Sequence, residues 1–411
     1  MNIVIVSDYA ERSGGAEKVA IDSAVALARA GEQVHFLSAV GPIDPELQEA
    51  GVTVHLAGIQ DLKRKNKVDL VISGLWSRRC AALAAELLAK LPKGESIVHV
   101  HTWQRALTSA TLRACRESGH PLLLTLHDYG TACPNQGFFD YQRGEICTRR
   151  ALGPACLSTH CDTRTYAHKL WRTARIAVQS AGANVPLDLD DVIYMSELSR
   201  QVLTPYFSEK TRWHSVPNPI FTPHDARVPA ESNRAFLFVG RIEPHKGVDL
   251  LAEAGQNAHV PVTIVGDGPD LPELKRRFPE VTYTGWLRPE RTRELMQTAR
   301  ALVFPSRWYE VQPLVVQEAL ACGVPVIAAD RTSAREAVSD QQTGLLFRHM
   351  DASDLEQKLR VMAQSDELVA GLSRTAYERY WSNPPTIERH IDTLRAVYRD
   401  CLGRGTSAAH A

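Results

Sequence analysis

Short apolar runs alternate with amphipathic helical patterns along most of the chain. The apolar runs have the length of buried strands, and the stretches between them have helical periodicity. This alternation is typical of α/β proteins, in which helices connect the strands of parallel sheets. The strands are expected in two series, the first at 2–7, 33–39, 68–73, 96–101, 122–127 and 191–196, and the second at 236–239, 261–265, 281–284, 301–304 and 324–328.

The chain is expected to form two domains, because 411 residues exceed the size of one ordinary core. Residues 215–220, Ser-Val-Pro-Asn-Pro-Ile, separate the two strand series and predict a stiff connector. We therefore place the N-terminal domain at 1–216 and the C-terminal domain at 217–383. A final helix at about 384–403 is expected to pack back on the N-terminal domain. The small, polar tail at 403–411 predicts disorder.

Two glutamates lie eight residues apart across a predicted strand-to-helix junction. Glu310 follows the apolar run 301–304, so it is expected in the loop at the carboxyl end of a strand. Pro313 suits the first turn of the next helix, which would carry Glu318. Ligands of open α/β sheets bind at this edge. The two carboxylates are therefore expected to contact different parts of one substrate.

Two glycine turns follow predicted strands. Gly14 and Gly15 separate the first strand from its helix, where backbone can approach a ligand and a helix N-terminus attracts negative charge. Their spacing is not the dinucleotide fingerprint, so a nicotinamide enzyme is not implied, and a simple tight turn is the alternative. Gly266 lies in a Gly-x-Gly turn that fits a tight loop lining the same cleft.

Charged and titratable side chains also follow predicted strands. Arg241 and Lys246 lie five residues apart after the strand at 236–239, and two cations there fit a diphosphate leaving group. A solvated basic loop is the alternative for this pair. His127 ends another strand, where it either faces the cleft or has a structural role, and His101 has the same ambiguity.

Four of the eight cysteines are clustered in one segment. Cys133, Cys147, Cys156 and Cys161 predict a structural tetrahedral metal site, with zinc the simplest ion. Free thiols and disulfides are the alternatives, because the spacing lacks a Cys-x-x-Cys knuckle. Such a site would hold the long loop that follows His127.

Charge and hydropathy limit the partners of the chain. The formal net charge is zero, so no global field favours nucleic acid or a membrane. No apolar run has the length of a transmembrane helix, and the first residues lack a signal peptide, which together with the cysteine usage predicts a cytoplasmic protein. The loop after His127 is locally basic, which is either a solvated face or a contact for an anionic acceptor or the inner face of the membrane. Its cations are Arg143, Arg149, Arg150, Arg164, Lys169, Arg172 and Arg175, against Glu145 and Asp162.

Taken together, these motifs resemble the retaining GT-B glycosyltransferases of family 4, also called glycosyltransferase group 1. The resemblance covers nearly the whole chain and is strongest from 236 to 347. It implies two Rossmann-like domains with parallel sheets that face each other across a cleft. The C-terminal domain would hold a nucleotide-diphosphate sugar of the UDP or GDP type, and the N-terminal domain mainly the acceptor.

The resemblance also implies roles for individual residues. Arg241 and Lys246 would bind the diphosphate, Glu318 the ribose hydroxyls and Glu310 the donor sugar, with His127 near the sugar and the acceptor. The implied catalytic set is Glu310, His127, Arg241 and Lys246. The implied donor-binding set is Gly14, Gly15, Arg241, Lys246, Gly266, Glu310, Val311, Gln312, Pro313, Leu314 and Glu318.

The chain departs from the family pattern directly after the first glutamate. Many members have glycines there, whereas this chain has Val311 and Pro313, and a proline cannot donate a backbone hydrogen bond. The donor-sugar pocket is therefore expected to differ.

The resemblance implies transfer of a sugar with retention of configuration and without a catalytic metal or other cofactor. The expected acceptor is a glycan or lipid-linked glycan in bacterial surface polysaccharide synthesis. A nucleotide-sugar epimerase of the same architecture and a non-catalytic scaffold are the alternatives.

Overall fold

The computed structural model of the protein describes residues 1–59 and 74–408, with side chains to 404. Within these residues two parallel sheets form, which confirms the α/β class expected from the alternating pattern. The predicted strand at 68–73 lies outside the described residues. The strands that are described are β1 (Asn2–Tyr9), β2 (Gln33–Val40), β3 (Thr53–Leu56), β4 (Ser96–Val100), β5 (Leu122–Thr125), β6 (Phe139–Asp140), β7 (Glu145–Ile146), β8 (Asp191–Tyr194), β9 (Arg212–Ser215), β10 (Ala235–Val239), β11 (Val262–Val265), β12 (Thr282–Gly285), β13 (Ala299–Phe304), β14 (Val326–Ala329) and β15 (Gly344–Phe347).

The two sheets have related strand orders. The first runs β3-β2-β1-β4-β5-β8-β9, and the second runs β12-β11-β10-β13-β14-β15. All their pairings are parallel, so the carboxyl ends of the strands within a sheet meet at one edge. The strands β6 and β7 form a separate antiparallel pair in the loop after β5.

Helices connect the strands, as the periodicity predicts. The helices that are described are α1 (Gly15–Arg29), α2 (Pro45–Glu49), α3 (Arg78–Leu88), α4 (Thr108–Glu117), α5 (Pro154–Ser158), α6 (Tyr166–Ala183), α7 (Glu197–Leu203), α8 (Val248–Ala258), α9 (Leu271–Arg277), α10 (Pro289–Met296), α11 (Leu314–Ala321), α12 (Ala334–Ala337), α13 (Ala352–Gln364), α14 (Asp366–Ser382) and α15 (Ile387–Ala408). In the part of the chain that is described, no helix is both long and apolar enough to cross a membrane.

Apolar cores cover both faces of each sheet. Ile3 and Ile5 of β1 point to one face, where they pack with α1 and α15, while Val4 and Val6 point to the other. The second sheet likewise has a core on each side. Burial on both faces explains why these central strands read as continuous apolar runs.

Three edge strands of the two sheets were not predicted from the sequence, and two of them lack such runs. The edge strands β3 and β9, Thr-Val-His-Leu and Arg-Trp-His-Ser, have half-buried or exposed side chains throughout. The edge strand β15 is short and follows a polar turn. An edge strand is covered by one neighbour only, so tertiary pairing rather than composition decides its conformation.

The tail prediction is wrong for residues 403–408, which continue the helix α15. Arg404 anchors this last part, because its Nη2 lies 2.8 Å from Asp191 Oδ1 and its Nη1 pairs with Asp400. An ion pair with a distant strand has no signature in a small, polar tail. Residues 409–411 lie outside the described part of the chain.

The helix α15 packs on the first sheet although it follows the second sheet in sequence. Tyr398 is fully buried, and its Oη lies 2.7 Å from His99 Nδ1 in β4. His99 Nε2 in turn bonds Thr125 Oγ1 of β5 at 2.7 Å. At the surface, Arg395 Nε lies 2.9 Å from Glu32 Oε1. A series of buried hydrogen bonds thus joins the helix α15 to the centre of the first sheet.

We expect Tyr398→Phe to lower the free energy of unfolding by about 1–3 kcal/mol, because it leaves the buried Nδ1 of His99 without its partner. Urea unfolding followed by tryptophan fluorescence measures the change. Tyr166→Phe is the matched control, since Tyr166 is 39% exposed and water replaces its lost bond. An equal, small effect of both substitutions would contradict a stabilising role for the buried pair.

Candidate functional site

A cavity of about 390 Å³ lies at the carboxyl edge of the first sheet. Its walls come from the loops after β1, β4 and β5, and Arg241 of the second domain completes it. Gly14, Gly15, His127 and Arg241, which lie far apart in the sequence, therefore share one cavity. Parallel strands explain the meeting, because their carboxyl ends share an edge.

Gly14 and Gly15 begin helix α1 at the mouth of this cavity. Gly14 is the N-cap residue, and no side chain caps the helix. A Cβ atom on Gly14 would lie 2.7 Å from Glu17 Oε2, so a larger residue would displace that carboxylate. The uncapped N-terminus favours an anionic group in the cavity.

Asp8 shapes the floor of the cavity and was not singled out in the sequence. Its buried carboxylate accepts backbone N–H bonds from Arg105, Ala106 and Leu107 at 2.9, 2.8 and 2.8 Å. Burial raises the pKa of Asp8, and the three N–H bonds oppose this shift. The carboxylate thereby holds the loop after β4 against β1. The only local signal was an acidic residue ending a buried strand.

His127 lies at the cavity wall and contacts a second histidine. Its Nε2 is 2.9 Å from His101 Nδ1, and the two rings stack with centroids 5.1 Å apart. Burial lowers the pKa of His127 to about 3, so the imidazole is neutral at neutral pH. A neutral imidazole can donate or accept one hydrogen bond, but it adds no charge to the site.

Glu310 is buried in the loop after β13, as the strand pattern predicts. Its Oε1 accepts hydrogen bonds from Lys246 Nζ at 2.6 Å and from Ser306 Oγ at 2.9 Å. Its backbone is left-handed, with φ of +55°, which a non-glycine residue adopts at an energetic cost. Tyr129 of the first domain stabilises this loop by donating its Oη hydrogen bond to the Glu310 carbonyl oxygen at 2.8 Å.

Lys246 is positioned by a short 3-10 turn, Pro244–Lys246, that Gly247 ends in the left-handed conformation. Its ammonium also lies 5.2 Å from the centre of the Trp308 ring. Arg241, by contrast, is 77% exposed and pairs only with Glu243 in the described residues. One cation of the predicted pair is therefore held in place, while the other is free to reach a ligand.

Residues 311–314 differ in their contacts. Val311 is buried in the apolar cluster of the first domain, near Tyr129, and Gln312 Oε1 accepts the backbone N–H of Asn218 at 2.9 Å. Pro313 is the N-cap residue, so its predicted place in the first turn is wrong by one residue. Its ψ of 99° is extended, and the helix α11 therefore begins at Leu314. Within the described residues, no acceptor takes the N–H groups of Val311, Gln312 or Leu314.

Glu318 lies in helix α11, as predicted, but in a second cavity of about 420 Å³. Two aromatic side chains, Trp286 at 70% and Phe221 at 54% exposure, line that cavity with it. Withdrawal from bulk water raises the pKa of Glu318. Exposed aromatics beside a carboxylate suit a flat, hydroxylated ligand. Neither ring was predicted as a site residue, because the only sequence signal of each was a large aromatic residue in a loop.

Gly266 holds the loops of the second sheet together. A Cβ atom there would lie 1.8 Å from the carbonyl oxygen of Gly240, so no other residue allows the approach. The N–H of Gly240 bonds Val265 at 3.0 Å, and that of Ile242 bonds Asp267 at 2.9 Å. The loop that carries Arg241 is thereby fixed to its neighbour.

The cysteine cluster and the basic loop follow His127 in the sequence. Cys133, Cys147, Cys156 and Cys161 line one small cavity. Several of the predicted surface cations are engaged, since Arg149 pairs with Asp140, Arg172 with Asp162 and Arg143 with Glu145. Lys169 is fully buried. The basic surface is therefore smaller than the sequence suggested.

Two family models match the chain. The model described as Glycosyltransferase Family 4 matches residues 13–222, and the model described as Glycosyl transferases group 1 matches residues 233–365. Together they include each of the predicted site residues.

Curated relatives match parts of the chain. A GDP-mannose-dependent alpha-mannosyltransferase of Mycolicibacterium smegmatis is 33% identical over 172 residues, 41% of this chain and 43% of the relative. A D-inositol 3-phosphate glycosyltransferase of Acidothermus cellulolyticus is 28% identical over 373 residues, 78% of this chain and 76% of the relative. The matches span half or less of the length of the first curated relatives.

Solved structures share the fold over nearly the whole chain. A sucrose-phosphate synthase from Thermosynechococcus elongatus has a TM-score of 0.69 at 19% identity, covering 98% of this chain and 99% of that one. The HepE protein of Anabaena in complex with UDP has a TM-score of 0.65 at 16% identity, covering 97% and 99%. These similarities confirm the GT-B fold expected from the sequence.

We expect Gly247→Ala to destabilise the C-terminal domain by roughly 1–3 kcal/mol, because Gly247 has φ of +67° and a Cβ atom there would lie 2.1 Å from the carbonyl oxygen of Pro305. Thermal unfolding measures the effect. Gly371→Ala in α14 is the control, since no atom within 4 Å opposes a methyl group and the helix should gain about 0.5–1 kcal/mol. Opposite shifts of the two midpoints are expected, and unchanged stability of Gly247→Ala contradicts the tight packing.

Proposed function

We propose that this chain, which belongs to glycosyltransferase family 4, transfers a sugar from a nucleoside diphosphate donor to an acceptor hydroxyl. The observation that carries the proposal is the ion pair of half-buried Lys246 with buried Glu310 beside the N–H groups of Val311, Gln312 and Leu314, which lack acceptors in the described residues. A cation, a carboxylate and open N–H donors at one sheet edge match a diphosphate bound to a hydroxylated sugar.

The leaving group would be stabilised by positive charge that the chain itself supplies. When the bond between the sugar carbon and the diphosphate oxygen breaks, the electron pair stays on the diphosphate. Arg241, Lys246 and the uncapped N-terminus of α1 can stabilise that charge from two sides. We therefore propose catalysis that needs no divalent metal.

The sugar would be held by Glu310. Its carboxylate already accepts bonds from Lys246 and Ser306, and oxygen lone pairs remain for sugar hydroxyls. The left-handed backbone of Glu310 is retained by contacts in both domains, as expected for a strained binding residue. His127, being neutral, would contribute a hydrogen bond near the acceptor.

We further propose that the reaction retains the configuration of the sugar. The acceptor oxygen would attack the face that the diphosphate leaves, through an oxocarbenium-like state, and would lose its proton to the departing phosphate oxygen. No covalent intermediate with the protein is then required.

The nucleoside would lie in the second cavity. Glu318 can accept bonds from ribose hydroxyls, and Trp286 or Phe221 offers an exposed ring for the base. A GDP-mannose-dependent relative and a neighbour solved with UDP support a donor of the GDP or UDP type. A glycan or lipid-linked glycan acceptor, a role in surface polysaccharide synthesis, and a cytoplasmic site at the inner face of a membrane stay predictions.

Lys246→Ala is expected to reduce kcat about 100-fold to 1,000-fold, because one charge-assisted contact to the leaving group is lost. Initial rates of nucleoside diphosphate release measure the loss, and the thermal midpoint checks folding. Lys275→Ala is the control, since Lys275 is exposed on α9. Turnover near that of the unmodified protein in folded Lys246→Ala removes Lys246 from this role.

A thermal-shift screen with uridine, guanosine and adenosine diphosphates and their sugars tests donor binding. A ligand at 100 times its Kd should add about 2.7 kcal/mol of stability. Glu318→Gln should weaken the shift, whereas Glu280→Gln, an exposed carboxylate outside both cavities, should not. The absence of any nucleotide shift would falsify the proposal and favour a non-catalytic scaffold. Donor hydrolysis without acceptor separates a transferase from an epimerase.

A further inference from the structure

A long segment with little regular structure separates β5 from α6. This cysteine segment, residues 129–165, contains only the two-residue strands β6 and β7 and the five-residue helix α5. Loops of this length inside a compact domain need constraints beyond backbone hydrogen bonds. The segment nevertheless buries Tyr129, Phe138 and Phe139. A cross-link between its parts would account for that order.

The four clustered cysteines line one cavity within this segment. Cys133, Cys156 and Cys161 are buried and Cys147 is half-buried, and all four line the same small cavity. None of them forms a disulfide. Four cysteine thiolates are the ligand set of one common class of structural zinc site.

Side chains donate hydrogen bonds to two of the four sulfurs. Asn135 Nδ2 lies 3.0 Å from Cys161 Sγ, and Arg149 Nη1 lies 3.5 Å from Cys147 Sγ. A buried neutral thiol needs few donors, whereas a metal-bound thiolate is stabilised by several.

The buried ammonium group of Lys169 requires a negative charge near the cavity. Lys169 is fully buried, and its Nζ donates to the carbonyl oxygens of Cys156 and Thr159. In the described part of the chain no carboxylate pairs with it. A buried cation without a counter-charge is costly. Four thiolates around one Zn²⁺ carry a net charge of −2 and would provide the missing counter-charge.

We propose that Cys133, Cys147, Cys156 and Cys161 bind one zinc ion as a tetrahedral tetrathiolate. A tetrahedral centre with Zn–S bonds of about 2.3 Å brings its sulfurs within about 3.8 Å of one another. Among the described residues, three metal-ligating atoms approach within 4.8 Å only at Asp191, His214 and Cys401, where Arg212 and Arg404 already pair with the carboxylate. The ion must therefore draw the four thiols together, which couples its binding to the folding of the segment.

The proposed ion would support the cleft without touching the substrate. The cysteine segment reaches the second domain through Tyr129, whose Oη bonds the Glu310 carbonyl oxygen at 2.8 Å. Tyr141 packs edge-on against His245 with ring centroids 5.4 Å apart, and Gly137 lies against the Trp308 ring. Residues that flank Lys246 and Glu310 thus pack on a loop whose order we assign to the metal.

Elemental analysis of the purified full chain tests the proposal independently of any activity. About one zinc per chain is expected. Cys156→Ser should lose most of this zinc, whereas Cys115→Ala, a buried cysteine of α4 outside the cluster, should keep it. Because cluster variants can fail to fold, the unmodified protein is also exchanged into cobalt, whose tetrathiolate complex has an intense tetrahedral spectrum.

Zinc at stoichiometric amount together with the tetrahedral cobalt spectrum supports the site. The proposal is overturned by protein that lacks stoichiometric zinc and does not take up cobalt, whether its cluster cysteines titrate as four free thiols or as disulfides. It is equally overturned if iron occupies the site, or if Cys156→Ser folds and retains full zinc.

Discussion

The geometry of the cleft depends on the loop that holds Glu310. Its carboxylate is bound by Lys246 and Ser306 of its own domain, and its carbonyl oxygen accepts a bond from Tyr129 of the other. The left-handed backbone of Glu310 is unfavourable by itself, so these contacts must compensate for it. The same few bonds therefore set the position of the Glu310 carboxylate and join the two domains at that point.

A second group of contacts fixes the C-terminal helix and the loops of the first sheet in place. The helix α15 follows the second sheet in sequence but packs on the first, with Tyr398 bonded to His99 inside the core. Asp8 fixes the loop after β4 through three backbone bonds, and the neighbouring His127 is paired with His101. Asp8, His99 and Tyr398 are buried polar groups with hydrogen-bond partners, which favours one arrangement of the cleft over others.

The central strands could be predicted because burial on both faces leaves an unbroken apolar run. The edge strands β3 and β9 could not, since their side chains are half exposed and only a neighbour's hydrogen bonds make them strands. The end of α15 was misread for a related reason: its residues are small and polar, and the ion pair of Arg404 with Asp191 joins residues that are 213 positions apart. Local composition carries no information about such a partner.

The sequence by itself determined which candidate site residues follow the strands of the two sheets. A strand, a loop and a helix in succession place Glu310, Lys246, Gly14 and His127 at the carboxyl ends of parallel strands, whatever the details of packing. Only the tertiary structure decided which side chains meet. Lys246 and Glu310 are 64 residues apart, and Tyr129 and Glu310 are 181 apart. The tertiary structure also buries Val311 in the apolar core of the other domain and leaves Trp286 exposed beside Glu318. Contacts at such separations follow from how the two sheets face each other, and no local periodicity encodes that relation.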